Sequence, residues 1–157
     1  MNQYLQEGAR MKKSINLNEV LLMAGKLSNE IGELLSQSTY KEYDDLSELE
    51  IDYKDPEQLF IVDELRYILE KLDMAKDAID YLNCPVKYSG TLIKNSRGRY
   101  EIKQKEYTCG SSIEALVTDN YHDEPYWTRT RVEHDGLDYY LVGNKNIQMK
   151  GLKVRVR

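Results

Sequence analysis

The chain has 157 residues, with 22 Lys/Arg against 27 Asp/Glu, 41% apolar and 31% charged residues, and a mean hydropathy of −0.67. That is the composition of one globular domain or two small ones, too apolar for disorder and without the ~20-residue apolar run of a membrane span or the apolar stretch of a secretory signal, so a cytoplasmic protein is expected. The charge is divided: residues 1–85 hold 9 basic against 18 acidic side chains and residues 86–157 hold 13 against 9, so an acidic half precedes a basic one.

Residues 1–15 show no periodicity and read as a frayed extension, within which Met11 is a second possible start. Asn16 and Glu19 then stand at capping-box spacing. Leu17, Val20, Leu21, Ala24, Leu27, Ile31, Leu34 and Leu35 follow at three- and four-residue steps, which predicts an amphipathic helix from about Leu17 to Ser36. The acidic stretch from Glu42 to Glu57 reads as a loop or a short extra helix. Asp55-Pro56-Glu57 is a helix start, since Asp caps, Pro suits the first helical position and Glu complements the dipole. The stripe Leu59, Val62, Leu65, Ile68, Leu69, Leu72, Ala75, Ile79 and Leu82 carries that helix to about Asn83, and Pro85 ends it. Residues 16–85 are thus expected to form an acidic helical hairpin.

After Pro85 the period changes. Residues 86–94, 99–104, 113–118, 126–133, 138–142 and 152–156 are short and rich in β-branched and aromatic residues, separated by turn chemistry such as Asn95-Ser96-Arg97-Gly98 and Asp135-Gly136. The expected fold class is α+β: the helical hairpin followed, over residues 86–157, by a small antiparallel, SH3-like β barrel. A barrel of ~70 residues is near the lower limit for burying a core alone. The helices are therefore expected to pack on it or to mediate a homodimer.

No motif names an enzyme. Cys84 and Cys109 read as free thiols of a reducing compartment. With His122 and His134 they lack the close pairing of a zinc site, so no metal or other cofactor is expected. His122-Asp123 and His134-Asp135 fall in turns, where both residue types are common, and metal-dependent hydrolases need further ligands converging from several elements. Tyr139 and Tyr140 are neighbours on a strand and point to opposite faces, so they cannot share one nucleophilic site.

The succession Gly90-Thr91-Leu92, Gly98-Arg99-Tyr100-Glu101-Ile102, Gly110-Ser111-Ser112-Ile113-Glu114-Ala115-Leu116, Trp127 to His134, Tyr139-Tyr140-Leu141 and Gly151 to Arg157 resembles a family of small uncharacterised β domains from conjugative elements and prophages of Gram-positive bacteria. The likeness covers residues 86–157 and not the helices. It implies a context, an accessory protein of a mobile element, and no activity that passes to named residues.

Two surfaces are candidates. In the basic half, Arg97, Arg99, Arg129, Arg131 and Arg155 are placed to neutralise phosphates and Trp127 to stack on an unpaired base, with Lys153 and Arg157 nearby; Glu101, Glu114 and Glu133 are the competing partners for these arginines. In the acidic half, Asp44, Asp45, Glu48, Glu50 and Asp52 have the spacing of a carboxylate surface that mimics a phosphate backbone before a Lys/Arg groove. The expected function is non-catalytic: inhibition of a host nucleic-acid-processing protein, of the anti-CRISPR or anti-restriction kind, by direct contact. The alternative is a nucleic-acid-binding module that acts through the basic barrel, with the helices for dimerisation.

Overall fold

Asn16 caps the first helix, α1 (Leu17–Gln37): its backbone is extended and its Oδ1 accepts a 2.8 Å hydrogen bond from the Asn18 N–H, satisfying one donor that a helix start leaves over. The second helix, α2 (Pro56–Asn83), starts at the Asp-Pro-Glu signal, where Asp55 Oδ1 accepts from the Glu57 N–H at 2.9 Å. The computed structural model describes residues 14–40 and 46–157. Most of the expected extension 1–15, with Met11, and the acidic residues Glu42, Asp44 and Asp45 lie outside the described residues. The fold divides into two compact units, one ending at Asn83 and one running from Cys84 to Arg157.

In the helical unit α1 and α2 run antiparallel. Ser28 Oγ donates to Asp80 at 2.5 Å, Asp80 also takes the Lys76 ammonium, Gly32 lies against Lys76 and Gly25 against Asn83. Small residues at 25, 28 and 32 thus let polar α2 side chains lie on the α1 backbone. The apolar core is short: Ile31, Leu35, Leu46 and Leu69, with Val62, Leu65 and Leu72 against it. Leu46 was not expected there. Residues 46–55 form turns and no further helix, and Leu46 is wholly buried with φ at +58°, a conformation that costs a β-carbon-bearing residue about 1–3 kcal/mol. Burying a leucine side chain stabilises by about 1.5–3 kcal/mol, enough to hold it.

The second unit contains β1 (Tyr88–Thr91), β2 (Ile93–Lys94), β3 (Tyr100–Ile102), β4 (Lys105–Tyr107), β5 (Ser112–Val117), β6 (Tyr126–His134), β7 (Tyr139–Leu141) and β8 (Lys153–Val156). All pairings are antiparallel, so the α+β class stands. The barrel does not. One sheet has the order β1-β8-β5-β6-β7 and a separate one the order β2-β3-β4, leaving β1 and β7 as edges. The stretch read as one strand, 86–94, divides at Leu92, beyond which the chain pairs with β3 instead of continuing along β8. Closing a barrel needs staggered pairing that continues around the ring, and strands of two or three residues are too short to carry it to β7.

β4 is an element the sequence hid. The Lys103-Gln104 turn before it has positive φ at both residues, 48° and 70°, a geometry whose usual signal is Asn-Gly or Asp-Gly. The two sheets share one core, built from Leu92, Tyr100, Ile102 and Tyr107 on one side and Ile113, Ala115, Val132, Leu141 and Val154 on the other. At Gly90 they lie close together, since a methyl group there would lie 2.6 Å from Ile102 Cγ2. Lys94 and the Tyr100 hydroxyl both bond Asp138, tying the small sheet to the β6–β7 turn.

Candidate functional site

Register decides which charged side chains meet. Antiparallel partners share a face, and on the outer face of the large sheet one cross-strand row reads Ser89, Arg155, Glu114, Arg129 from β1 to β6. Alternation along β6 puts Trp127, Arg131 and Glu133 on that face and Val132 in the core. Arg129, Arg131 and Arg155, named from the sequence as phosphate-neutralising candidates, therefore share one face, and Trp127 joins them.

The centre of this face is an ion cluster. Glu114 is 5% exposed, and its two oxygens accept from Arg155 Nε and from Arg157 Nε, the latter at 2.7 Å. Arg157 also donates to the Cys84 carbonyl at 2.7 Å. The Arg155 guanidinium lies over the Trp127 ring, 4.2 Å from its centroid. A buried carboxylate between two arginines is stable because each of its oxygens is bonded; with one partner removed the remaining charge is left uncompensated. Arg155 and Trp127 thus hold one another in place as a flat cationic and aromatic surface. Arg131 pairs with Glu133 at 3.0 Å, and Arg129 and Arg131 remain exposed, bordering with Ser112, Thr130 and Val142 a shallow depression of about 390 Å³.

Arg97 and Arg99 are elsewhere, on the small sheet. Asn95 Oδ1 accepts from the backbone N–H groups of Arg97 and Arg99, both at 3.0 Å, forming the turn that carries them. Both guanidinium groups bond Glu106 on β4, which also takes the Asn95 amide at 2.6 Å. The Arg99 hydrogen bond, with those of Asn95 and the charge of Arg97, holds the Glu106 carboxyl below its ordinary range, while Glu106 raises Arg99. Glu106 was missed for the same reason as β4, whereas Glu114 and Glu133 stood among the expected partners of the arginines. Glu101 bonds the Asn95 amide instead.

A further polar cluster closes the loop between β5 and β6. Asp119 accepts from the Tyr126 hydroxyl at 2.7 Å, from the backbone N–H groups of Tyr121 and His122 at 2.9 Å, and faces His122 Nδ1 at 2.9 Å. Hydrogen bonding from Tyr126, then from His122, holds the Asp119 carboxyl far below the usual carboxylate range. Every group here serves the turn itself. Cys84 and Cys109 are exposed free thiols, and among the described residues no three His, Cys, Asp or Glu side chains converge as a metal site.

In the helical unit Glu48, Glu50 and Asp52 are exposed on the turns between α1 and α2; Asp44 and Asp45, placed with them from the sequence, lie outside the described residues. Asp52 Oδ1 accepts from the Lys54 N–H at 2.9 Å, so part of its role is local. No helix among the described residues is long and apolar enough to cross a membrane.

Residues 90–156 match the family model of a domain of unknown function, DUF5348. No curated protein and no solved structure matches the chain.

Proposed function

We propose that this chain is a non-catalytic accessory protein that inhibits a host nucleic-acid-processing protein by direct contact. The observation that carries this reading is the internal pairing of the basic half: Arg97 and Arg99 bond Glu106 on the small sheet, and on the large one Arg131 bonds Glu133 and Arg155 and Arg157 bond Glu114. Phosphates would have to displace these carboxylates, whereas an ordered Trp and Arg surface with compensated charge suits the centre of a protein interface. The exposed carboxylates Glu48, Glu50 and Asp52, continued in sequence by Asp44 and Asp45, support a second contact that competes for a basic groove.

The test uses the full-length protein as bait in a host lysate with and without nuclease. Capture of a nucleic-acid-processing protein that survives nuclease, competes with that protein's own nucleic acid and weakens as salt rises is the expected result. Lysine at positions 48, 50 and 52 should abolish it with the fold unchanged. A second reading, direct nucleic-acid binding, draws on the exposed Arg129 and Arg131 beside the Trp127–Arg155 stack. It replaces the first if DNA or RNA is bound at low salt and Arg129→Ala with Arg131→Ala weakens that binding regardless of base sequence.

A further inference from the structure

The helical unit leaves much of its apolar surface uncovered, and the uncovered part is ordered. In α1, Leu17, Val20, Ala24, Leu27, Ile31 and Leu34 alternate steps of three and four residues; in α2, Ile61, Leu65, Ile68, Leu72, Ala75, Ile79 and Leu82 do the same. This is the heptad spacing of a helix that meets another helix along its whole length. Yet Leu27 is 50% exposed and Ile68 49%.

The reason is rotational. Leu27 and Leu34 each stand one residue before Ser28 and Leu35, positions turned toward α2; Ile61, Ile68 and Leu82 each stand one residue before Val62, Leu69 and Asn83, positions turned toward α1. One residue is ~100° of rotation. In an antiparallel pair the same sense of rotation on both helices carries both seams to the same side. The pair therefore presents one continuous apolar layer, two helices wide, beside its own partly polar interface at Ser28, Lys76 and Asp80.

We infer that this layer is the interface with a second copy of the chain, the two helix pairs stacking as a four-helix bundle. Eight large apolar side chains of this side, among them Leu17, Met23 and Leu82, are each two-fifths or more exposed. At ~150–200 Å² for a large side chain fully exposed, they amount to roughly 700–900 Å². That exceeds the ~300–600 Å² of the largest patch on a typical monomer and meets the ~800 Å² per partner of a stable interface. The layer is also its own complement: a copy turned by 180° about an axis lying in the plane of the layer lays seam on seam, the isologous contact of a twofold dimer. The seam positions carry no charge, while residues 1–85 hold 18 acidic side chains against 9 basic. Salt therefore screens repulsion between the two copies and tightens the dimer, opposite to its effect on a charge-driven partner.

Sedimentation velocity of the full-length protein over a concentration series tests this. The expected result is a dimer that tightens as salt is added, and a ~100-fold or greater weakening in Leu27→Glu with Ile68→Glu, about one tenfold step per substitution, with helical circular dichroism retained. The conservative pair Leu27→Met with Ile68→Leu should remain dimeric. A wild-type protein that stays monomeric at every concentration and salt overturns the inference whatever the variants do, including the case where another part of the chain covers the layer. A dimer that persists in the folded double variant, or that dissolves as salt rises, overturns the assigned surface.

Discussion

The two units solve the problem of burial differently. The β unit encloses its core from both sheets, and even its outer face carries a carboxylate, Glu114, buried at 5% exposure. The helical unit buries four apolar residues among those described and leaves one edge of each heptad seam exposed, Leu27 and Leu34 in α1 and Ile61 and Ile68 in α2. A sheet face gathers side chains from five strands onto one surface, whereas two helices touch along a line, and that line is here partly occupied by Ser28, Lys76 and Asp80. Two helices alone cannot cover apolar stripes wider than their contact, so part of each stripe stays exposed in the helical unit whereas the sheets of the β unit enclose their core.

The contrast is open to attack at several points, the strongest being Glu114. Replacing it by Ala leaves Arg155 and Arg157 without their shared carboxylate, and the expected loss is about 3–5 kcal/mol in urea unfolding. Trp127, the single tryptophan and the residue under Arg155, reports the transition by fluorescence. Leu141→Ala, at a wholly buried core position, is expected to cost about 2–5 kcal/mol by the same measurement. Gly90→Ala presses a methyl group on the buried Ile102, and about 1–3 kcal/mol is expected. On the helical side Leu27→Ala, measured in protein dilute enough to be monomeric, should change stability by no more than about 0.5 kcal/mol, because its side chain gains little burial in the single chain. A loss at Leu27 as large as at Leu141 would end the comparison.

The smallest effect expected is that of acid. Hydrogen bonding holds Glu106 low through Arg99, Asp119 through Tyr126, Asp135 through the backbone N–H of Asp138, and Asp138 through Lys94. A carboxyl with a lowered folded-state pKa contributes stability that is present above its unfolded value, about 4, and is lost as pH falls through the folded value. The Trp127-reported transition should therefore be flat from neutral pH down to about pH 5 and weaken only below about pH 4, and modestly, since these groups lie near solvent.

Much of this architecture was legible beforehand because it is local. α1 and α2 begin and end within a residue or two of the boundaries set by Asn16, Asp55-Pro56 and Pro85, since capping and proline act on the backbone next to them. The strands other than β4 were legible from β-branched and aromatic runs between turns, except that β1 and β2 read as one strand, 86–94. β4 was not, because Lys103-Gln104 adopts a turn its side chains do not announce. Leu46 was illegible for the same kind of reason: no propensity places a leucine at positive φ, and only the pocket between the helices holds it there.

Of the candidate site, the residue types came from the sequence and their grouping did not. Composition and periodicity alone determined that Trp127, Arg129, Arg131 and Arg155 lie in strands, and that the first half is acidic and helical, because periodicity and charge are properties of neighbouring residues. Which arginine meets which carboxylate depended on β8 pairing with β5, forty residues away, and on Glu106 folding back beside Arg97 and Arg99. The direction of the heptad seams depended likewise on how α2 rotates against α1, which Gly25, Ser28 and Gly32 decide by admitting polar side chains where leucines would otherwise meet. Register and rotation are set by contacts between distant segments, and such contacts exist only once the chain has folded.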